Sequence, residues 1–330
     1  MTTYQLVGIG NAVVDVISHA DDLFLNRMGI EKGIMQLVEQ DRAESLFGAM
    51  KDRMQTPGGS VANTIAGAGA LGLKTAFIGR VRDDELGRFY ANAMEEAGIR
   101  FANPPVPEGE LPTSRSMIFV SPDGERSMNT YLGISSELGQ NDVPQEIAGD
   151  TELMFLEGYL FDKPAGKTAF LEAARDCRRG GGKVGIAISD PFCVDRHRHD
   201  FLSLIEHEMD FVIGNEAEIQ ALFQDSHFDD ALMLTAALCP LVVCTRSGDG
   251  VTVMEGTSRI DVPVEKVQPV DATGAGDQFA AGFLYGMATG RDLETCARIG
   301  TICAREVIGH VGPRPEVDVS ALLREAGLLA

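Results

Sequence analysis

Short runs that are apolar along their whole length recur through this chain, and segments with helical spacing lie between them. The runs are 4–10 (YQLVGIG), 74–81 (KTAFIGRV), 152–158 (ELMFLEG), 183–189 (KVGIAIS), 209–213 (MDFVI) and 240–245 (PLVVCT). Helical spacing marks 39–53, 60–71, 84–97, 164–179, 215–223 and 228–237, then 274–289 and 292–307. A strand without a polar face must be covered on both sides, and parallel sheets wrapped in helices are the structures that do this. The expectation is one α/β domain over residues 1–330, a doubly wound, mostly parallel sheet with helices on both faces. Two regions break the rhythm. Residues 12–19 and 33–38 are short and strand-like, and 101–131 holds two strand-like runs around Pro-Asp-Gly, the signature of an antiparallel hairpin. A small β-sheet lid built from about 12–38 and 101–131 accounts for both.

The 49 acidic residues outnumber the 28 basic ones, for a net charge of −21. Such a surface repels phosphate backbones and anionic lipid, and no apolar stretch reaches the roughly 18 residues of a spanning helix. No nucleic-acid or membrane partner is expected, and the N-terminal residues do not read as a signal peptide. The cysteines (177, 193, 239, 244, 296 and 303) form no C-x-x-C pair and sit in apolar surroundings, as free thiols of a cytoplasmic protein do. The expected partner is a small molecule, bound by a monomer or homodimer. An anionic ligand would need a local positive field that the surface does not provide.

Three glycine-rich segments could serve such a ligand. Gly67, Gly69 and Gly72 satisfy G-x-G-x-x-G, but inside a helical pattern and with a strand after it rather than before. Close helix packing is therefore the favoured reading, and a dinucleotide-dependent oxidoreductase would rest on this motif alone. The segment Pro57-Gly58-Gly59-Ser60-Val61-Ala62-Asn63 lets a ligand approach the backbone, offers Ser60 as a helix cap and places Asn63 one turn inside. The third, Asp271-Ala272-Thr273-Gly274-Ala275-Gly276-Asp277, opens an apolar helix. The amides of Gly274, Ala275 and Gly276 form an anion cradle there, and an acid beside such a cradle suits proton abstraction from a hydroxyl during phosphoryl transfer. Residues 195–200 (Asp-Arg-His-Arg-His-Asp) look like a metal cluster, but His197 and His199 point apart on a helix and stand beside two arginines.

DATGAGD resembles the C-terminal signature of the PfkB family of carbohydrate kinases, the ribokinase and adenosine kinase superfamily, and PGGSVAN resembles its N-terminal signature. The similarity extends through GNAVVD, GERSM, FLEGYLF, Asn215-Glu216-Ala217-Glu218 and CTRSGDG. It implies a ribokinase-like fold and an ATP- and Mg2+-dependent kinase with Asp277 as base and 274–276 as anion hole. Asn215, Thr245, Gly250 and Thr273 would lie at the ATP site, and Glu218 would position magnesium through water. Asp271, with Thr273, matches a monovalent-cation site that usually takes potassium in some members. Ser247 stands where many relatives have glycine. Asn11, Asp15, Gly59 and Asn63 would hold the acceptor, with Arg115 or Arg126 adding positive charge.

The acceptor stays open between a nucleoside and a sugar or sugar acid. Asn11-x-x-x-Asp15 resembles adenosine kinases, and Asp190-Pro191 lacks the asparagine and arginine that sugar kinases often carry next. Glu157 is instead a sugar-kinase feature. A purine needs an apolar face to lie on, and Tyr159 and Phe161, which follow the strand carrying Glu157, are expected to supply it, with Phe192 nearby. Core packing is the competing role for those rings.

Overall fold

A computed structural model describes residues 2–329. Its large sheet has nine strands, in the order Ser258–Val262, Val251–Glu255, Leu241–Thr245, Phe211–Asn215, Lys183–Ala187, Thr151–Glu157, Tyr4–Ile9, Thr75–Ile78 and Arg100–Phe101. The last seven are parallel, and the first two add an antiparallel hairpin at one edge. Helices Ser60–Ala70, Glu85–Glu96, Ala275–Ala288 and Leu293–Val307 build the core on one face. Pro164–Arg179, Pro191–Glu208, Glu216–Phe223 and Phe228–Leu238 build it on the other. Strand order reverses between Tyr4–Ile9 and Thr151–Glu157. At such a reversal the two flanking connections leave in opposite directions and open a crevice at the carboxyl ends of the strands.

The second sheet has five strands, in the order Met35–Leu37, Arg126–Tyr131, Ser114–Val120, Val13–His19 and Met54–Gly58. The hairpin at Pro122-Asp123-Gly124 forms as its turn chemistry dictates. The boundaries differ from expectation in two places. Phe101 ends a strand of the large sheet, and Met54–Gly58, where a proline and a glycine mask the strand pattern, joins the small one. Helices Asp22–Met28 and Gln40–Ala49 cover one face of the small sheet, with Phe24 against Phe119 at 5.3 Å and Arg115 over Phe47 at 4.8 Å. Arg115 thus points away from the crevice. Strand register puts Asp15, Ile17, Met54, Ser116, Ile118 and Met128 on the opposite face.

Gly67 belongs to a helix contact and to no dinucleotide site. A Cβ there would collide with Gln278 Oε1 and stand 2.8 Å from Ala281 Cβ, so glycine allows Ser60–Ala70 to lie against Ala275–Ala288. Overpacking a close contact costs about 1–3 kcal/mol. Gly67→Val should lower the urea midpoint accordingly, and neither variant nor parent should bind a nicotinamide dinucleotide in a calorimetric titration.

Candidate active site

The crevice collects side chains from segments far apart in sequence. Asp277 sits in the first turn of Ala275–Ala288, half-buried. Ser60 Oγ donates to its Oδ1 at 2.6 Å and Asn63 Nδ2 to its Oδ2 at 3.1 Å. Ser60 is therefore a partner of Asp277 and no helix cap; the cap position is Gly59. Burial pushes the Asp277 carboxyl up to about 6, against the pull of those two hydrogen bonds and of Arg314. The double glycine has two separate causes. A Cβ on Gly58 would stand 2.5 Å from Asp15 Oδ2, and Gly59, at φ 98°, would drive one into the Asn11 carbonyl.

Asp15 reaches the crevice from the small sheet. Burial pushes its carboxyl up to about 6, Arg126 and Arg314 pull it down, and Asp277 pushes it up. Glu157 is 1% exposed. Its Oε1 accepts from Asn11 N at 3.1 Å and Asn11 Nδ2 at 2.8 Å, and its Oε2 accepts from Val61 N at 3.0 Å. Asn11 Oδ1 in turn accepts from Ser135 Oγ at 3.0 Å. The Asn11 amide thus braces its loop against Glu157 and Ser135.

Gly274 and Gly276 differ in what requires them. Gly274 has φ 82°, and a Cβ would press on Pro313 Cα at 2.5 Å. A Cβ on Gly276 would meet nothing within 4 Å. Packing does not demand glycine there, and the open space beside the amides of 274–276 has room for a phosphoryl group. Beyond it a cleft of about 440 Å³ runs between Thr245, Gly250, Val264, Val267, Phe279 and Ile308. Its apolar walls fit an adenine ring. Ser247 has φ 49°, the backbone a glycine takes without strain. Gly276 and Thr245 also line a cavity of about 100 Å³ with Ser60, Asn215, Glu218 and Asp277.

Asn215 and Glu218 form a capping box: Asn215 Oδ1 accepts from Glu218 N at 3.0 Å, and Glu218 accepts from Asn215 N at 3.0 Å and Asn215 Nδ2 at 2.6 Å. Burial pushes the Glu218 carboxyl up to about 7. With both oxygens engaged, this carboxylate fits a magnesium ion through water rather than by direct ligation. Asp271 does not fit the expected potassium role. Its Oδ1 accepts from Thr273 N at 2.9 Å, and its Oδ2 accepts from Arg126 Nη1 at 2.6 Å and Gly312 N at 3.0 Å. Arg126, 8% exposed, is already the cation on this carboxylate. Its Nε and Nη2 are buried without a partner, and its charge acts on Asp15.

Phe161 does not face the crevice. It lies in the core, with Phe201 stacked at 4.3 Å and Phe170 at 5.6 Å, and offers no face to a base. Tyr159 is tied down as well, its hydroxyl donating to Ser189 O at 3.1 Å, and Phe192 is exposed on a helix start. Among the described residues no group of three or more metal-ligating side chains is assembled, and the 195–200 acids pair with Arg198 and Lys167. Sequence reasoning missed Arg314. It reaches the crevice from Gly312-Pro313-Arg314-Pro315, where its Nε donates to Asn63 Oδ1 at 3.2 Å.

An anion cradle, a carboxylate beside it and a nucleotide-sized cleft define a phosphotransferase that acts on a hydroxyl group. The profile of the pfkB family carbohydrate kinases matches residues 34–319. An adenosine kinase from Sinorhizobium meliloti superposes with TM-score 0.90 at 44% identity, covering 98% of this chain and 99% of that one. A probable sugar kinase from Rhizobium etli gives 0.92 at 41% identity, with both chains fully covered. A 5-dehydro-2-deoxygluconokinase from Halalkalibacterium halodurans is 26% identical over 266 residues, 76% of this chain and 79% of that protein. The chain belongs to the pfkB family of carbohydrate kinases, and it is an ATP-dependent kinase of a sugar or nucleoside.

If Asp277 acts as the base it must be ionised, and kcat/KM should then fall as pH drops through about 6. Asp277→Asn should lower turnover by about 10²–10⁴ with ATP affinity unchanged. The folded protein raises the Asp277 pKa, so its stability contribution is complete in acid and is lost as pH rises through 6. The same substitution should therefore raise the melting temperature at pH 8 and not at pH 4. Phe161→Ala should cost about 3–5 kcal/mol by chemical denaturation and leave the acceptor KM unmoved.

Proposed function

We propose that this kinase transfers the γ-phosphoryl group of magnesium ATP to a hydroxyl of an adenosine-like nucleoside. The observation that carries the reading is the uncovered face of the small sheet around Asp15. Met35, Leu37 and Met54 stand 41%, 52% and 59% exposed on it, with Ile17 and Met128 partly buried between them. Aliphatic and thioether side chains beside a diol-binding carboxylate suit a ligand with a flat apolar part and a polyol part. They take over the role expected of Tyr159 and Phe161. The likeness to the adenosine kinase from Sinorhizobium meliloti supports the same class.

Charge argues against sugar acids. Asp15, Asp277 and Glu157 face one another across the crevice with Arg314, while Arg126 is held by Asp271. A carboxylate on the acceptor would add to the side already in excess. Glu157, the sugar-kinase feature, is 1% exposed and bound through both oxygens to Asn11 and Val61, so it offers little to a sugar hydroxyl.

In this reading Asp15 accepts hydrogen bonds from two vicinal hydroxyls and orients the third toward Asp277. Asp277 takes its proton as the oxygen attacks. The amides of 274–276 and the free donors of Arg126 hold the charge that develops on the transferring group. Magnesium ATP, when bound, would supply the phosphoryl group, ADP leaving as its bond to the β-phosphate oxygen breaks, and the metal would offset the charge.

Coupled assays with adenosine, cytidine, ribose and 2-keto-3-deoxygluconate test the class directly. Adenosine should give the highest kcat/KM, and preference for either sugar substrate over both nucleosides would overturn the reading. The double variant Leu37→Ser/Met54→Ser should raise the adenosine KM roughly tenfold, the loss of about 1–2 kcal/mol of apolar contact, and leave a ribose KM where it was.

A further inference from the structure

The turn Gly312-Pro313-Arg314-Pro315 is strapped to both ends of the segment that carries the anion cradle. Gly312 N donates to Asp271 Oδ2 at 3.0 Å, and Pro313 O accepts from Gln278 Nε2 at 2.9 Å. Between these straps Pro313 packs on Gly274. The prolines fix φ on both sides of Arg314, so its side chain leaves a rigid base. It crosses to helix Ser60–Ala70, where Nε donates to Asn63 Oδ1 and Nη2 lies 3.9 Å from Met94 Sδ.

That contact decides which way the Asn63 amide points. With its oxygen on Arg314, its NH2 faces Asp277 Oδ2 at 3.1 Å. A flipped amide would set oxygen against carboxylate and NH2 against guanidinium, two repulsive contacts in place of two attractive ones. The guanidinium is buried, and it interacts through space with Tyr90, Asp15 and Asp277. The other polar groups facing Asp277 are Ser60 and Asn63 on Ser60–Ala70, Asp15, Glu157, Tyr159 and Glu218. Arg126 faces Asp15 from the small sheet. Among the described residues, the other ionisable groups facing Asp277 are carboxyl groups and the Tyr159 phenol.

We infer that Arg314 is a positioning residue for phosphoryl transfer, which orients Asn63 toward Asp277 and balances the charge of the Asp15–Asp277 pair. The inference rests on the reading of Asp277 as the base. It assigns two separable jobs, a directed hydrogen bond and a charge. Glutamine at 314 keeps a donor and loses the charge, whereas lysine keeps the charge and loses the planar fork.

The test reads Asp277 without any substrate. With 13Cγ-labelled aspartate, the Asp277 resonance is assigned as the one absent from Asp277→Asn, and its titration is followed by NMR. An opposite charge beside a carboxylate lowers its pKa by about 1–3 units. The Asp277 midpoint should therefore rise by about one pH unit or more in Arg314→Gln and stay in place in Arg314→Lys. Steady-state kinetics with adenosine and with ribose as acceptors should show Arg314→Lys losing at least about tenfold in kcat with the ATP KM unchanged. An unmoved midpoint in a folded Arg314→Gln overturns the charge assignment. Wild-type kcat in Arg314→Lys overturns the orienting one, and this arm stands even where the glutamine variant does not fold. If Asp277→Asn keeps its turnover while the midpoint moves as expected, the base reading fails and the electrostatic coupling of Arg314 survives.

Discussion

Everything in the crevice depends on how closely two helices approach. Ser60–Ala70 and Ala275–Ala288 meet across Gly67, where no larger residue fits between Gln278 and Ala281. At that distance Ser60 and Asn63 reach one carboxylate from a helix some 215 residues further along the chain. Gln278 closes the contact by donating to Asn63 O and Pro313 O. The two glycine-rich signatures are thus halves of one object: one supplies the anion cradle and the acid, the other the donors that aim the acid.

Burial is the second organising force. Asp15, Asp277, Glu157 and Glu218 all stand above the ordinary carboxylate range because the crevice removes water from them. A stable fold would not choose four acids there; their reactivity depends on the same desolvation that makes them costly. Glu157 shows the compromise at its clearest. It is the most deeply buried of the four, and it organises backbone and amide donors around itself.

The central sheet was legible because continuous apolar strands leave few alternatives. Strands of mixed character were not: Ser258–Val262 is polar and exposed at an edge, and Met54–Gly58 ends in a glycine that makes room for Asp15 instead of a turn. Site residues inside motifs were legible from spacing, since the spacing encodes the cradle itself. Arg314 has no local pattern, because its partners lie some 250 residues away and only the fold brings them near. The expectation for Phe161 failed for a related reason. Phe161 follows its strand directly, but the turn Gly158–Asp162 swings the ring into the layer of Pro164–Arg179 and Pro191–Glu208.

Arg126 and Asp271 join the small sheet to the segment leading into the cradle, and both side chains are almost completely hidden from water. An ion pair so placed adds little net stability, but parting it strands two charges at about 3–5 kcal/mol. Any swing of the small sheet away from the crevice must pass through that strained intermediate, so the contact acts as a catch more than as glue.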